Sequence, residues 1–231
     1  LRTLAGASDM SDHHDHEHGH GEFGMYEHDP LHKHPAQPDL EDTPLTHHQI
    51  MQMAVADLLV EKGVIEADEL REQIEFMDTI TPARGAGLVA RAWVDPGFKD
   101  RLVADSKKAG AELGMDIGPT PILVMENTPK VHNLIVCTLC SCYPRFLLGF
   151  PPDWYKSRDY RSRAISEPRK VLAEFGTELA DSVEVLVHDS TADMRYMVLP
   201  MRPNGSEGLS EAALAELVTR DTMVGVTMPK T

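Results

Sequence analysis

Cys137-Thr138-Leu139-Cys140-Ser141-Cys142 holds all three cysteines of a 231-residue chain. A disulfide framework needs cysteines dispersed along the fold, so these three cannot staple it. They can form a three-thiolate claw around one metal ion. The spacing is C-x-x-C-x-C, with a serine between the last two. Around so small a residue the backbone amides of Ser141 and Cys142 come close to the ion. Deprotonated, they would add two nitrogen donors to three sulfurs. Such a field suits a trivalent, low-spin ion, with one position open for water or substrate, as a Lewis-acid site requires. Two other uses fit the same residues. Structural zinc wants four side-chain ligands, and His132 or His188 could complete a Cys₃His set. A C-x-x-C redox pair normally sits at a helix N-terminus in a thioredoxin-like setting, which is not evident here.

The apolar run Leu134-Ile135-Val136 leads into the claw, so the thiols emerge at a strand end. Pro121–Met125 and His132–Cys137 read as strands. Val183, Val185 and Val187 alternate as a half-buried strand does, and Tyr196–Leu199 and Met223–Thr227 read as two more. Helices are expected at Asp153–Ile165, at Ser166–Phe175 (N-cap Ser166, N1 Pro168) and at Ser210–Val218. Strands and helices without a regular βαβ rhythm indicate α+β. Upstream, Ile50, Met53, Ala54 and Leu58 keep helical spacing up to Gly63, and Leu70, Ile74 and Met77 share one face of a second helix. A third runs around Leu88–Trp93. Asp95-Pro96 opens a fourth, carrying Phe98, Leu102, Ala109 and Leu113 and ended by Gly114. Residues 49–114 thus form a helical arm whose apolar stripes need a partner, and residues 115–231 the metal-binding domain.

Residues 1–48 differ in kind. Ten of the twelve histidines lie there, among Asp, Glu, Gly and Pro. With too little apolar surface to order itself, this is a disordered tail. It would bind Co, Ni or Zn weakly and reversibly, or simply remain a solvated tail. The net charge of -15 argues against nucleic acid or an anionic membrane as partner. No apolar run reaches the length of a transmembrane helix, and Leu1–Asp12 lacks the pattern of a signal peptide. Free, closely spaced thiols fit a reducing compartment, so the expected location is the cytoplasm.

Val136-Cys137-Thr138-Leu139-Cys140-Ser141-Cys142-Tyr143-Pro144 resembles the metal-binding signature of the nitrile hydratase α-subunit family. The likeness extends through Leu59-Val60-Glu61-Lys62-Gly63, Ala90–Pro96 and Glu126-Asn127-Thr128-Pro129. It continues through Pro151–Lys156, Tyr160–Arg163, Glu167-Pro168-Arg169, Arg195–Pro200 and Val218-Thr219-Arg220-Asp221. It therefore covers the chain from about residue 50 onward. The resemblance implies a layered α-β-β-α domain and a low-spin Co(III), one per chain. Sulfur would come from Cys137, Cys140 and Cys142, and amide nitrogen from Ser141 and Cys142. Cys140 would be a sulfinate and Cys142 a sulfenate. Thr138 resembles the cobalt-type signature, so iron is the lesser expectation. The resemblance makes the Cys142 sulfenate oxygen a candidate nucleophile on a nitrile carbon, with the Ser141 hydroxyl positioning the site. It also implies a β-type subunit whose arginines face the oxidised cysteines, a cobalt-inserting activator protein, and a small nitrile as substrate.

One position departs from that pattern. Arg145 stands where nitrile hydratases usually carry tryptophan, and here the chain resembles the γ subunit of thiocyanate hydrolase. An arginine near the open position suits an anion such as thiocyanate, although an interface or surface role fits it equally. Glu126–Pro129 and Pro151–Lys156 look more like the nitrile enzymes, which favours nitriles. A non-enzymatic metal-storage or trafficking protein is the remaining alternative. Arg161, Arg163 and Arg169 are expected either to hold carboxylates of the partner or to lie on a solvated face. Trp93, Trp154 and Phe175 are expected to pack, and His188 to be structural.

Overall fold

The computed structural model describes residues 44–231 except Ser141. The expected tail as far as residue 43, and Ser141 itself, lie outside the described residues. The chain divides into two units, one ending at Asp57 and a larger one from Leu58 to Thr231.

Helix α1 (His47–Glu61) buries no residue, and neither does α2 (Ala67–Thr79). α2 is opened by a capping box in which the Glu66 and Glu69 side chains satisfy each other's backbone N–H groups. Burial begins at α3 (Ala83–Val94), whose Leu88, Val89 and Ala90 are fully enclosed. The single helix expected from Pro96 to Gly114 is two. Asp95 accepts from the Phe98 N–H at 2.9 Å and starts α4 (Pro96–Ala104). Asp105 then adopts an extended backbone and accepts from the Lys108 N–H at 3.0 Å, capping α5 (Ser106–Glu112). A residue that can cap one helix ends the one before it.

β1 (Ile122–Glu126) and β2 (Val131–Val136) follow, then the cysteine turn and the short helices α6 (Arg145–Leu148) and α7 (Asp153–Lys156). The helix expected over Asp153–Ile165 is likewise interrupted. The Ser157 hydroxyl accepts from the Tyr160 N–H at 3.1 Å and starts α8 (Arg158–Ser166). α9 (Pro168–Glu174) has Pro168 at its first position as expected, but its N-cap residue is Glu167, not Ser166. β3 (Glu184–Asp189), β4 (Arg195–Leu199) and α10 (Glu211–Glu216) complete the order up to residue 216.

The last expected strand, Met223–Thr227, is absent. Thr219 and Thr222 form a capping box that starts α11 (Arg220–Val224), and Gly225 in the left-handed region stops it. Gly225 must be glycine for a second reason: a Cβ there would lie 2.1 Å from the Asn133 carbonyl oxygen. The apolar residues that suggested a strand, Met223 and Val224, are fully buried on a helix instead.

Both strand pairs are parallel, β1 with β4 and β2 with β3. β2 is buried along Leu134, Ile135 and Val136, and β4 along Met197, Val198 and Leu199. This is the continuous apolar run of a strand covered on both faces. α4 and α5 pack on β1, α8 and α9 on β2 and β3, and β2 meets β4. The α+β class and its α-β-β-α layering stand. The register fixes two positions that matter below. Asp189 pairs with Val136 at the end of β3, and Arg195 pairs with Ile122 at the start of β4.

Candidate metal centre

β2 ends at Val136, and the chain leaves the core through Cys137, whose side chain is fully buried. The next three residues are exposed, Leu139 to 87%. The turn doubles back so that the Cys137 and Cys140 sulfurs lie 3.5 Å apart and those of Cys140 and Cys142 3.3 Å apart. All three Sγ atoms fall within 4.8 Å of one another. The Cys140 N–H also donates to the Cys137 sulfur at 3.3 Å.

Charged groups on neighbouring elements hold this turn by its backbone. Asp189 accepts from the Thr138 N–H at 2.9 Å and from the Thr138 hydroxyl at 2.6 Å. From α8, the Arg161 guanidinium donates to the carbonyls of Thr138 and Leu139, at 3.1 and 3.2 Å. The Tyr155 hydroxyl donates to the Cys142 carbonyl at 2.8 Å, and that of Tyr160 to the Ile135 carbonyl at 2.7 Å. Tyr155 packs edge-on against Tyr143 with centroids 4.8 Å apart. Burial raises the Tyr155 and Tyr160 phenols above their ordinary range, so they remain neutral donors.

The thiols want a cation between them. Loss of hydration, then the hydrogen bond with Cys140 and the charge of Cys137, push the Cys142 thiol up to about 12, with Arg195 pulling the other way. Three thiolates this close cannot ionise together unless something positive lies among them. Three soft donors in this arrangement fit a transition metal.

Neither histidine completes a zinc set. His132 is buried, its Nε2 2.7 Å from the Gly225 carbonyl and its Nδ1 3.4 Å from Asn127. His188 bonds the Asn133 side-chain oxygen at 2.8 Å. Among the described residues, the three cysteines are the one group of ligating side chains that converges.

Cys140 and Cys142 line a cavity of about 510 Å³ together with Tyr143, Arg145, Phe150 and Arg195. The Arg145 guanidinium lies 4.0 Å from the Phe150 ring centroid, a cation–π contact. The other arginines singled out in the sequence serve the chain itself. Arg163 pairs with Asp159, Glu167 and Glu174, and Arg169 donates to the carbonyls of Leu179, Ala180 and Val183. Trp93 donates to the Pro200 carbonyl at 2.8 Å, and Trp154 packs edge-on against Phe175. Reading the sequence alone misses Asp189, Phe150 and Arg195 as site residues. Strand register brings the first and last to the turn, and no short motif carries register.

Known proteins resemble this chain in both sequence and fold. The family described as "Nitrile hydratase, alpha chain" matches residues 46–227. The chain is 48% identical over 180 residues to the low-molecular weight cobalt-containing nitrile hydratase subunit alpha of Rhodococcus rhodochrous, covering 77% of this chain and 87% of that one. It is 41% identical over 194 residues to the thiocyanate hydrolase subunit gamma of Thiobacillus thioparus, covering 79% and 80%. Its fold matches a solved structure of recombinant thiocyanate hydrolase comprising partially-modified cobalt centers. That match has a TM-score of 0.75 and 40% identity, over 81% of this chain and 92% of the other.

Proposed function

This chain belongs to the nitrile hydratase α-chain family, and we propose that it is the metal-bearing α subunit of a cobalt-dependent nitrile hydratase. The observation that carries the reading is the convergence of the Cys137, Cys140 and Cys142 sulfurs on a turn already braced by Asp189 and Arg161. Cys137, Cys140 and Cys142 would hold the ion through sulfur, and Ser141 and Cys142 through their amides. Ser141 lies outside the described residues, so its part rests on the family pattern. Cobalt is placed ahead of iron because of Thr138 and the cobalt-containing relative. Bound there, Co(III) supplies Lewis acidity toward water or a C≡N group.

The chain's own residues do the rest. Oxidised to a sulfenate, Cys142 would offer its oxygen as the nucleophile on the nitrile carbon, with the Ser141 hydroxyl in the positioning role that the family pattern gives it. In the net reaction water adds across the triple bond, oxygen to carbon and two protons to nitrogen, giving an amide. The Tyr155 hydroxyl holds the Cys142 carbonyl, and so the backbone at that residue. The Cys140 sulfinate and Cys142 sulfenate carry negative oxygens that need cationic partners. Arg195 lines the same cavity as both sulfurs. A β-type subunit would bring further arginines over the exposed turn, where Leu139 and Phe150 already present apolar surface. The same exposure leaves the claw accessible to a cobalt-inserting protein.

A second reading has its own support. Arg145 and Arg195 in the cysteine cavity suit an anion, which points to thiocyanate, the substrate in the name of one relative. The complex with its β-type partner, assayed on acetonitrile, acrylonitrile and thiocyanate, separates the two. Amide formation at a higher kcat/KM than thiocyanate turnover is the expected result. Thiocyanate turnover without amide formation would replace the first reading by the second.

A further inference from the structure

The residue that follows the claw has a buried hydroxyl with nothing to bond. Tyr143 is 6% exposed, and its hydroxyl has no hydrogen-bond partner among the described residues. The same holds for two buried atoms of α11, Arg220 Nε and Asp221 Oδ1. These two stand 3.6 Å apart, beyond hydrogen-bond reach, on side chains that are otherwise 36% exposed.

The fold brings the three together. α11 packs on α3 and β2. At Gly85 of α3 both α11 and α6 press in: a Cβ there would lie 2.6 Å from the Met223 sulfur and 3.0 Å from the Leu147 carbonyl oxygen. Tyr143 stands two residues before α6, and Asp221 two before Met223. Burial raises the Tyr143 phenol, and the Arg220 and Asp221 charges then act on it with opposite signs. Both are therefore within electrostatic reach of the hydroxyl. A buried phenol is costly unless it bonds. The trio offers two donors, the Tyr143 O–H and the Arg220 Nε–H, and one carboxylate acceptor. A single water can accept from both donors and donate to Asp221, and about three bonds is what a buried water makes.

We propose that Tyr143, Arg220 and Asp221 hold one ordered water, and that Arg220 and Asp221 act through it as positioning residues for the metal centre. Asp189 and Arg161 hold the entry of the turn, at Thr138 and Leu139. The water holds its exit. Tyr143 packs edge-on against Tyr155, which in turn bonds the Cys142 carbonyl, so displacement of Tyr143 reaches the backbone of the third sulfur. The assignment rests on the metal-centre reading above and adds residues that keep the ion in place.

The test reads metal release from the assembled, metal-loaded complex under excess chelator. Tyr143→Phe and Asp221→Asn should each speed release by about tenfold. Helical circular dichroism and the unfolding midpoint should stay close to those of the unaltered complex, while the sulfur-to-metal charge-transfer band shifts. The double variant should release no faster than the faster single variant, because either change already loses the shared water. Independent effects would instead multiply to about a hundredfold, which overturns the proposal. So does an unfolding midpoint that falls while release is unchanged, which would make the trio a packing feature. A crystal structure of the complex should place a water within about 3.2 Å of all three atoms. A Tyr143 hydroxyl bonded directly to Asp221 would overturn the claim. Tightly bound zinc, with that water in place and the two variants coupled, would remove the cobalt reading and keep this one. Cobalt with oxidised cysteines and independent variants would do the reverse.

Discussion

The cysteine turn and helices α1–α2 are opposite cases. In the turn, a few exposed residues are held by the chain itself, with Asp189 on one flank and Arg161 on the other. In the helices, regular secondary structure forms but leaves Ile50, Met53, Val55, Leu58 and Ile74 about half bare. Neither helix buries a residue, whereas α3, four residues after α2 ends, buries six. The contrast is between a turn whose backbone is braced within the chain and helices whose apolar side chains the described residues leave about half exposed.

The sharpest way to break that contrast is at the buried sulfur. Cys137→Ser should leave the helical circular dichroism intact, remove bound metal, and lower activity by at least about a thousandfold. Retained metal with unaffected activity would take Cys137 out of the claw. Next in size is a matched pair of changes in the helices. Leu88→Ala in α3 should cost about 2–5 kcal/mol in denaturant unfolding. Ile74→Asp in α2 should change stability by less than about 0.5 kcal/mol and instead reduce co-purification of the β-type subunit. Equal destabilisation by both would mean that α2 is packed within the chain after all. The braces come third. Asp189→Asn keeps the shape and removes the charge, and metal affinity should fall about 10–100-fold, read by competition with a chelator.

The fold was legible wherever local chemistry decided it. Strands with alternating or continuous apolar runs emerged at the expected places, as did α10 behind Ser210. The errors have one physical source. Asp105 and Ser157 look like ordinary polar helix residues, yet each caps a new helix and so divides an expected one. Met223–Thr227 has strand composition, but the Thr219–Thr222 box and Gly225 override it. At the site, the three cysteines and Arg145 were visible because spacing or departure from a pattern marks them. Asp189 and Arg195 were not, because the pairings Val136↔Asp189 and Ile122↔Arg195 are set by parallel register over long sequence separations. The role of Arg161 likewise depends on α8 packing against β2, which no local pattern announces.

The smallest effect concerns acid stability at Glu167, the residue between α8 and α9. Hydrogen bonds from Arg163 and then Lys170 hold the Glu167 carboxyl down to about 2, against an ordinary 4.5. A depressed carboxyl contributes stability above its unfolded pKa and loses it as pH falls through the folded one. The contribution should therefore be complete above about pH 4.5 and disappear toward pH 2. Glu167→Gln should flatten the acid limb of the unfolding curve in that window alone. The solvent-exposed setting keeps the change small. An effect centred near neutrality would contradict the assignment.

The function proposed above makes the turn from Cys137 to Cys142 a trivalent cobalt centre. Elemental analysis of the purified complex, with mass spectrometry of the peptide spanning the turn, tests it most directly. The account predicts about one cobalt per chain, two added oxygens on Cys140 and one on Cys142. Tightly bound zinc with three unmodified thiols would contradict it.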